Sequence, residues 1–149
     1  MKFHPMPSMR DGAHHYAVRV YFEDTDAAGV VYYANYLKLA ERARTEAMRD
    51  LGVPHAEMAD QHGLIFMVRR TNLDYLASAR LDDALIVATS CVAVGAATLD
   101  LEQIVQRDGR PLVVCKLQLA CLRASDQRPQ RIPPRWRTAL RHMRDVNSP

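Results

Sequence analysis

Cysteine is scarce in this chain of 149 residues, and long hydrophobic runs are missing from it. The three cysteines, Cys91, Cys115 and Cys121, are odd in number and widely spaced, which argues against a disulfide framework and against a zinc site. No stretch contains the roughly eighteen consecutive apolar residues of a membrane-spanning helix, and the N-terminal segment has no signal-peptide core. We therefore predict a cytoplasmic protein whose cysteines are small core residues.

The signatures of several enzyme classes are absent as well. The chain has no Gly-x-Ser-x-Gly elbow, no phosphate-binding glycine loop and no dinucleotide fingerprint, so serine hydrolases, nucleotidases and dehydrogenases lack their required parts. The spacing of the histidines does not suggest a metal site. These residues are His4, His14, His15, His55, His62 and His142. The sequence therefore predicts neither a metal nor a cofactor.

The charge of the chain is mildly positive. Its 20 basic and 17 acidic residues give a net charge of +3, which suits an anionic ligand without requiring nucleic acid. Between Arg123 and Arg144, seven arginines are opposed only by Asp126. This segment is either a solvated face or a surface for phosphate groups or a partner. The pair Arg69 and Arg70 can likewise bind substrate phosphates or be plain surface charge.

The pattern of apolar residues predicts an α+β domain with an antiparallel sheet. An alternating strand at about 16–22 precedes a long amphipathic helix over 32–51 and a short helical segment near 54–61. Further strands are predicted at 64–75, 84–94, 98–106 and 112–122, with an Asp108-Gly109 hairpin turn and a C-terminal helix near 135–143. The long helix alone is large enough to cover the sheet, and apolar strands need a second cover, which predicts a homodimer.

The predicted boundaries divide the chain into three parts. Residues 1–14 are a flexible tail that contains His14, residues 15–125 are the folded domain, and residues 126–149 are an Arg-rich extension with some helix. The sequence has no internal repeat or low-complexity tract that would suggest a different organisation.

The segment from Tyr21 to Tyr36 carries a strand end, an acidic loop with a glycine, and the start of the long helix. The first N–H groups of a helix have no partner within it, and the helix dipole favours negative charge there. A carbonyl bound at this point is polarised while the carboxylate of Asp26 lies beside it. We therefore predict an acyl-transfer site with the N–H of Tyr32 or Tyr33 as oxyanion donor.

Two interpretations of Asp26 are open on spacing alone. The carboxylate can attack an activated acyl carbon, or it can orient and deprotonate a water molecule. Alternatively, Asp24, Thr25 and Asp26 only cap the following turn and helix, as acidic residues before helices often do. Glu41, two turns into the helix, is a fallback base if it faces a cavity rather than solvent.

Neighbouring residues are candidates for binding the substrate. Tyr32 and Tyr36 can line an acyl pocket, although tyrosines at a helix start are also ordinary packing residues. Gly29 and Val30 lie in the loop between Asp26 and these tyrosines. The sequence therefore predicts that loop and helix start together form the binding site.

The run over residues 18–46, VRVYFEDTDAAGVVYYANYLKLAERARTE, resembles the hotdog-fold acyl-CoA thioesterases. It is most similar to the Tol-Pal-associated acyl-CoA thioesterases, relatives of 4-hydroxybenzoyl-CoA thioesterase. Further matches occur at 66–70 and 74–83, so the resemblance covers about 16–122. It implies a long central helix wrapped by an antiparallel sheet. It also implies dimers whose sheets join edge to edge, with two sites at the interface.

The resemblance assigns roles to two residues, and the chain departs from the pattern at three places. Asp26 matches the family's catalytic aspartate, and Tyr33 falls where a helix-start amide polarises the thioester carbonyl. The Tol-Pal-associated branch usually has histidine at the position of Tyr33 and tyrosine at that of Phe22. The turn at 94–98 lacks basic residues that some relatives use to hold coenzyme A phosphates.

The function expected from the resemblance is hydrolysis of an acyl-CoA or acyl carrier protein thioester. A first alternative is an acyl-CoA-binding module that acts as a sensor or scaffold without turnover. A second alternative is a hotdog hydratase or dehydratase, although no aspartate and histidine pair supports it. The acyl group, the choice between carrier and coenzyme A, and the choice between dimer and tetramer stay open.

Overall fold

The computed structural model describes residues 9–143, which form six strands and three α-helices. A short 3₁₀ helix, Phe22–Asp24, precedes the long helix. The strands are β1 (Met9–Arg10), β2 (Ala13–Arg19), β3 (Leu64–Tyr75), β4 (Ala84–Val94), β5 (Thr98–Arg107) and β6 (Arg110–Arg123). The helices are α1 (Asn35–Asp50), α2 (His55–His62) and α3 (Pro134–Arg141). None of the helices in the described range is long and apolar enough to cross a bilayer.

The strands form one antiparallel sheet in the order β1-β2-β4-β5-β6-β3, and α1 packs against one face of it. Apolar residues of α1 such as Ala43 and Ala47 are fully buried against inward-facing side chains of the strands. Their spacing by three or four residues places them on one side of the helix. The predicted α+β architecture, with a long helix covered by a sheet, is confirmed.

Several element predictions are confirmed closely. Strands β3 and β4 have the predicted bounds, and α1 begins three residues later than the periodicity indicated. Asp108 and Gly109 have φ angles of 51° and 77°, as a two-residue type I′ hairpin requires. The three cysteines are buried, and burial raises the pKa of the Cys121 thiol to about 11.

The first long strand begins earlier than predicted. Residues 9–14, placed in the predicted tail, form β1, the turn at 11–12 and the start of β2, while residues 1–8 lie outside the described range. His14 is therefore buried, and its Nε2 lies 2.7 Å from Asp50 Oδ2 at the end of α1. At the other end β2 stops at Arg19. Phe22, which the alternation placed in the strand, is 81% exposed in the 3₁₀ helix.

The C-terminal helix packs into the core. Trp136 and Leu140 of α3 are buried in the same cluster as residues of α1, α2 and the sheet. Arg135 donates hydrogen bonds to the Glu57 carboxylate and to the Gly52 carbonyl, and it lies over the Trp136 ring. One face of α3 is therefore core and the other basic, so the Arg-rich segment is not solvated on all sides. Residues 144–149 of the predicted extension, including Arg144, lie outside the described range.

Candidate functional site

Asp26 begins a tight hairpin that precedes α1. The N–H of Asp26 donates to the Val30 carbonyl at 2.9 Å, and the N–H of Gly29 donates to the Asp26 carbonyl at 3.0 Å. Gly29 has φ +80°, a left-handed conformation that glycine adopts without steric cost. Aspartate at the first position and glycine at the fourth are favoured in such turns. The acidic, glycine-containing sequence therefore folds locally into a rigid turn.

The side chain of Asp26 is exposed to solvent. Its Oδ1 accepts hydrogen bonds from the N–H of Ala28 at 2.9 Å and of Val30 at 3.5 Å, so this oxygen stabilises the turn. No hydrogen bond to Oδ2 comes from the described residues. The capping role is thus present, but it occupies one carboxylate oxygen and leaves the other available.

The segment before α1 aims the Tyr33 amide away from the helix. The N–H of Tyr32 donates to the Asp24 carbonyl at 3.0 Å, and the Tyr32 carbonyl accepts from the Asn35 N–H at 2.8 Å. In a planar trans peptide the C=O and N–H point in opposite directions, so the Tyr33 N–H points outward. Within residues 9–143 the N–H groups of Tyr33 and Ala34 meet no acceptor. They are free to bind an oxygen atom.

The residues that hold this geometry are Asp24 and Asn35. The Asp24 carboxylate accepts from the Tyr21 N–H at 2.8 Å and so caps the 3₁₀ helix. Its carbonyl also accepts from Asn35 Nδ2 at 2.9 Å. From its spacing Asp24 is expected only to cap the turn and helix, and no role is expected for Asn35. The signal for Asn35 is its type and position, since asparagine at a helix start often bonds the preceding backbone.

Four tyrosines surround the start of α1. The rings of Tyr32 and Tyr33 are 4.7 Å apart, and that of Tyr75 lies 6.4 Å from Tyr33 and 5.9 Å from Tyr36. Tyr32, Tyr33 and Tyr75 are all more than two-fifths exposed. Tyr36 is buried instead. Its hydroxyl accepts from the Ala79 N–H at 3.0 Å, and burial raises the pKa of its phenol. Three of these rings therefore form an exposed aromatic surface beside the free amides.

Val30 is the last residue of the hairpin and connects it to the rest of the fold. It is half-buried and pairs with Arg80 in an isolated bridge, while the next residue, Val31, donates to the Ala79 carbonyl at 2.9 Å. The hairpin is thereby held against the segment that follows β3. Gly29 is exposed at the turn itself. Gly29 and Val30 thus belong to the hairpin that precedes the free amides, and Tyr32 directly precedes the first of them.

Glu41 lies about two turns into α1, at the rim of a cleft between α1, α2 and β3. The cleft has a volume of about 400 Å³ and a mixed polar and apolar lining, with Phe66 and Met67 among its residues. Arg44 and His55 also line it. Burial lowers the pKa of His55, nearby Arg44 and Arg49 lower it further, and Glu41 opposes the shift. Glu41 is exposed to solvent and also borders this cleft, so its role as a base stays a prediction.

Arg69 and Arg70 lie on the other face of the sheet. A β-bulge between Val68 and Arg70 sets two residues of β3 against one of β6. Arg69 donates to Gln118 Oε1 at 3.0 Å, and Arg70 lines a shallow cleft together with the same glutamine. Because α1 covers the opposite face, the structure does not group these arginines with the start of α1.

Comparison with known proteins identifies the family of this chain. Residues 20–140 match the thioesterase-like superfamily. The acyl-CoA thioesterase YbgC of Haemophilus influenzae is 38% identical over 136 residues, which cover 91% of this chain and 100% of that protein. The acyl-CoA thioester hydrolase YbgC of Escherichia coli O6:H1 is 37% identical over 118 residues, covering 78% of this chain and 87% of that relative.

A solved structure gives the same result. The crystal structure of a probable thioesterase from Bartonella henselae is 32% identical and superposes with a TM-score of 0.76, covering 81% of this chain and 99% of that chain. The long helix on an antiparallel sheet, expected from the sequence, is thus shared with proteins of this group. This chain belongs to the thioesterase-like superfamily and has the hotdog fold.

Proposed function

We propose that this chain hydrolyses the thioester of an acyl-CoA to a free acid and a thiol, with acyl carrier protein thioesters as the main alternative substrate. Family membership supports the reaction class, and the names of the YbgC relatives support the substrate class. The observation that carries the assignment of the site is the acceptor-free N–H of Tyr33, beside the hairpin that presents Asp26.

The Tyr33 N–H is the oxyanion donor. A thioester carbonyl oxygen that binds there gains negative charge as the carbonyl carbon becomes tetrahedral, and a fixed donor at the helix start stabilises that charge. Loss of such a donor typically costs about a hundredfold to a thousandfold in rate. Because the donor is a backbone group, the histidine that the Tol-Pal-associated branch usually has at this position is not needed for this role.

Asp26 drives the attack by one of two routes. In the first, its free oxygen attacks the acyl carbon and the thiolate leaves. Water then hydrolyses the mixed anhydride to the free acid and the regenerated carboxylate, and the proton released passes to the thiolate. In the second, the carboxylate takes a proton from water, the hydroxide attacks the same carbon, and the proton passes to the leaving thiolate. Both routes balance without a metal or a redox partner, and both require the Asp26 carboxylate.

The acyl group binds against apolar and aromatic surface near these residues. Tyr32, Tyr33 and Tyr75 supply the exposed rings at the start of α1. The cleft bordered by Glu41 offers about 400 Å³ of further space, lined in part by apolar side chains. In this proposal Glu41 is the fallback base. Arg69 and Arg70, on the face of the sheet opposite α1, are candidates to contact the phosphates of coenzyme A.

The proposed active form is a homodimer. Strand β3 is the last strand of the sheet, pairs only with β6 among the described strands, and leaves one edge open over twelve residues. Long open edges with exposed apolar side chains tend to pair with another strand. A dimer formed this way would add surface beside the site of each protomer. The cytoplasmic location and the Tol-Pal association stay predictions; the three buried cysteines are compatible with a reducing compartment.

Thiol release from a panel of short-chain, long-chain and aromatic acyl-CoAs tests the proposal. The wild type should hydrolyse at least one of them, and Asp26→Asn should lower kcat by about a hundredfold or more. The asparagine keeps an oxygen that can accept from the Ala28 N–H, so the turn is retained. Asp108→Asn is the matched control, because Asn-Gly suits the same hairpin turn and Asp108 lies far along the chain from the site.

The results separate the alternatives. Saturable binding of acyl-CoA without thiol release would support the sensor or scaffold function instead. Full activity of Asp26→Asn would contradict the role of this carboxylate and make Glu41→Gln the next variant to measure. Equal losses in Asp26→Asn and Asp108→Asn would show a general effect of the substitution rather than a catalytic one.

A further inference from the structure

Tyr75 connects the rigid sheet to the backbone of the oxyanion donor. It is the last residue of β3 and lies opposite Val113 of β6. The next two residues, Leu76 and Ala77, both donate from their backbone N–H groups to the Leu112 carbonyl, at 2.8 and 3.2 Å. Tyr75 therefore projects from a backbone that is fixed on both sides.

The Tyr75 hydroxyl donates a hydrogen bond to the Tyr33 carbonyl at 3.2 Å. This distance is at the long end for a hydroxyl donor, so the bond is of modest strength. The Tyr75 ring also contacts the ring of Tyr36, whose own hydroxyl accepts from the Ala79 N–H. Ring contacts with Tyr33 and Tyr36 thus accompany the hydrogen bond from the Tyr75 hydroxyl.

This bond restrains the one peptide group of the donor segment that the local backbone leaves unbound. The preceding peptide is held through the Tyr32 carbonyl, which accepts from the Asn35 N–H. The peptide that joins Tyr33 to Ala34 has no backbone partner on its N–H within the described residues. The Tyr33 N–H belongs to the first of these peptides, which joins Tyr32 to Tyr33. When the second peptide is held as well, rotation of the backbone at Tyr33 is restricted, and the direction of the Tyr33 N–H is fixed. Small errors in the placement of such a donor are costly to catalysis.

We infer that Tyr75 is a positioning residue for thioester hydrolysis: through the Tyr33 carbonyl it holds the Tyr33 N–H in the direction that the thioester oxygen requires. This inference rests on the proposed function of Tyr33. It assigns to the Tyr75 hydroxyl an effect on the chemical step and not on substrate affinity, since the hydroxyl is already engaged by the protein.

The test compares Tyr75→Phe with the wild type, using the acyl-CoA that the wild type hydrolyses best. Phenylalanine keeps the ring contacts and removes only the hydroxyl. We expect kcat to fall about three- to tenfold with KM unchanged, since one modest hydrogen bond is lost. Tyr16→Phe is the matched control, because Tyr16 lies on β2 and its hydroxyl meets no hydrogen-bond partner among residues 9–143. Its kcat should equal that of the wild type.

A second measurement does not depend on turnover. The ¹⁵N resonance of the Ala34 amide, which belongs to the same peptide as the Tyr33 carbonyl, should shift in Tyr75→Phe and not in Tyr16→Phe. An unshifted Ala34 resonance, or an unchanged kcat in Tyr75→Phe, would overturn the inference while leaving the proposed function intact. A rise in KM with kcat unchanged would overturn it too, because the hydroxyl would then contact substrate. A wild type that releases no thiol would contradict both the proposed function and this inference. That result would be known before any variant is made.

Discussion

At the scale of single residues, Asp26 combines a structural and a chemical role. One oxygen of its carboxylate stabilises the hairpin, and the other has no partner among the described residues. The two interpretations that spacing left open are therefore compatible. The same turn chemistry that favours aspartate at the start of a tight turn also holds the carboxylate near the helix start. Because capping uses only one oxygen of the Asp26 carboxylate, the other oxygen can still take part in the reaction.

His55 gives a prediction about pH at this scale. Burial in the cleft and the charges of Arg44 and Arg49 lower the pKa of His55, so the folded protein resists protonation there. The unfolded chain binds the proton at its ordinary pKa of about 6.5, and folding stability therefore falls as pH drops through and below that value. His55→Gln should remove this part of the loss when denaturant unfolding is compared at about pH 7.5 and pH 5.5.

If His55→Gln keeps the wild-type dependence of stability on pH, the cleft does not hold His55 in its neutral form.

At the scale of elements, the sequence predicted the regular parts of the fold and the Asp108-Gly109 turn, but it missed where β2 ends. The bounds of β3 and β4 followed from alternation and from flanking breaks. The end of β2 did not, because the alternation runs on through Tyr21 and Phe22. There the Asp24 carboxylate accepts from the Tyr21 N–H and starts a 3₁₀ turn, which leaves Phe22 exposed. A local side-chain bond competed with the strand pattern.

Parts of the site were equally beyond a sequence pattern. The importance of the helix start could be predicted, because free amides follow from any helix N-terminus. The contact between Tyr75 and Tyr33 joins residues 42 positions apart, and the hydrogen bond between Ala79 and Tyr36 joins residues 43 positions apart. Neither contact has a periodic signature. Likewise, the bulge that brings Arg69 and Arg70 to one face of β3 breaks the alternation from which their positions would be inferred.

The C-terminal helix gives a prediction at this scale. Trp136 is 1% exposed in the main core cluster, so Trp136→Ala should lower the free energy of unfolding by about 3 to 5 kcal/mol. Arg131→Ala, an exposed position in the same segment, should change it by less than about 0.5 kcal/mol. Chemical denaturation monitored by circular dichroism measures both. Equal unfolding midpoints for Trp136→Ala and the wild type would show that α3 is not part of the cooperative core.

At the scale of the whole molecule, the open edge of β3 is the feature that most affects assembly. Val68 lies on this strand and is 45% exposed, and neighbouring Met67 is 39% exposed. Exposed apolar residues on a long edge strand favour pairing with a second copy, whereas lysine on an edge opposes it. We expect the wild type to have twice the 16.9 kDa mass of one chain, or a multiple of that dimer.

Val68→Lys tests this assembly by light scattering after gel filtration. The variant should shift towards the mass of one chain, because a buried lysine in the new interface lacks a partner. Val92→Lys is a matched control, since Val92 is also 45% exposed but lies on β4, an interior strand of the sheet. A Val68→Lys protein with the wild-type mass would place the contact between copies elsewhere.

The central claim is that the Tyr33 N–H and the residue-26 side chain act on the same thioester carbonyl. The most direct measurement is a crystal structure of Asp26→Asn with an unhydrolysed acyl-CoA from the active panel. We predict the carbonyl oxygen about 2.7 to 3.1 Å from the Tyr33 nitrogen, with the side chain of residue 26 against the carbonyl carbon. A carbonyl oxygen bonded to other donors, with residue 26 still turned to solvent in the occupied site, would contradict the account.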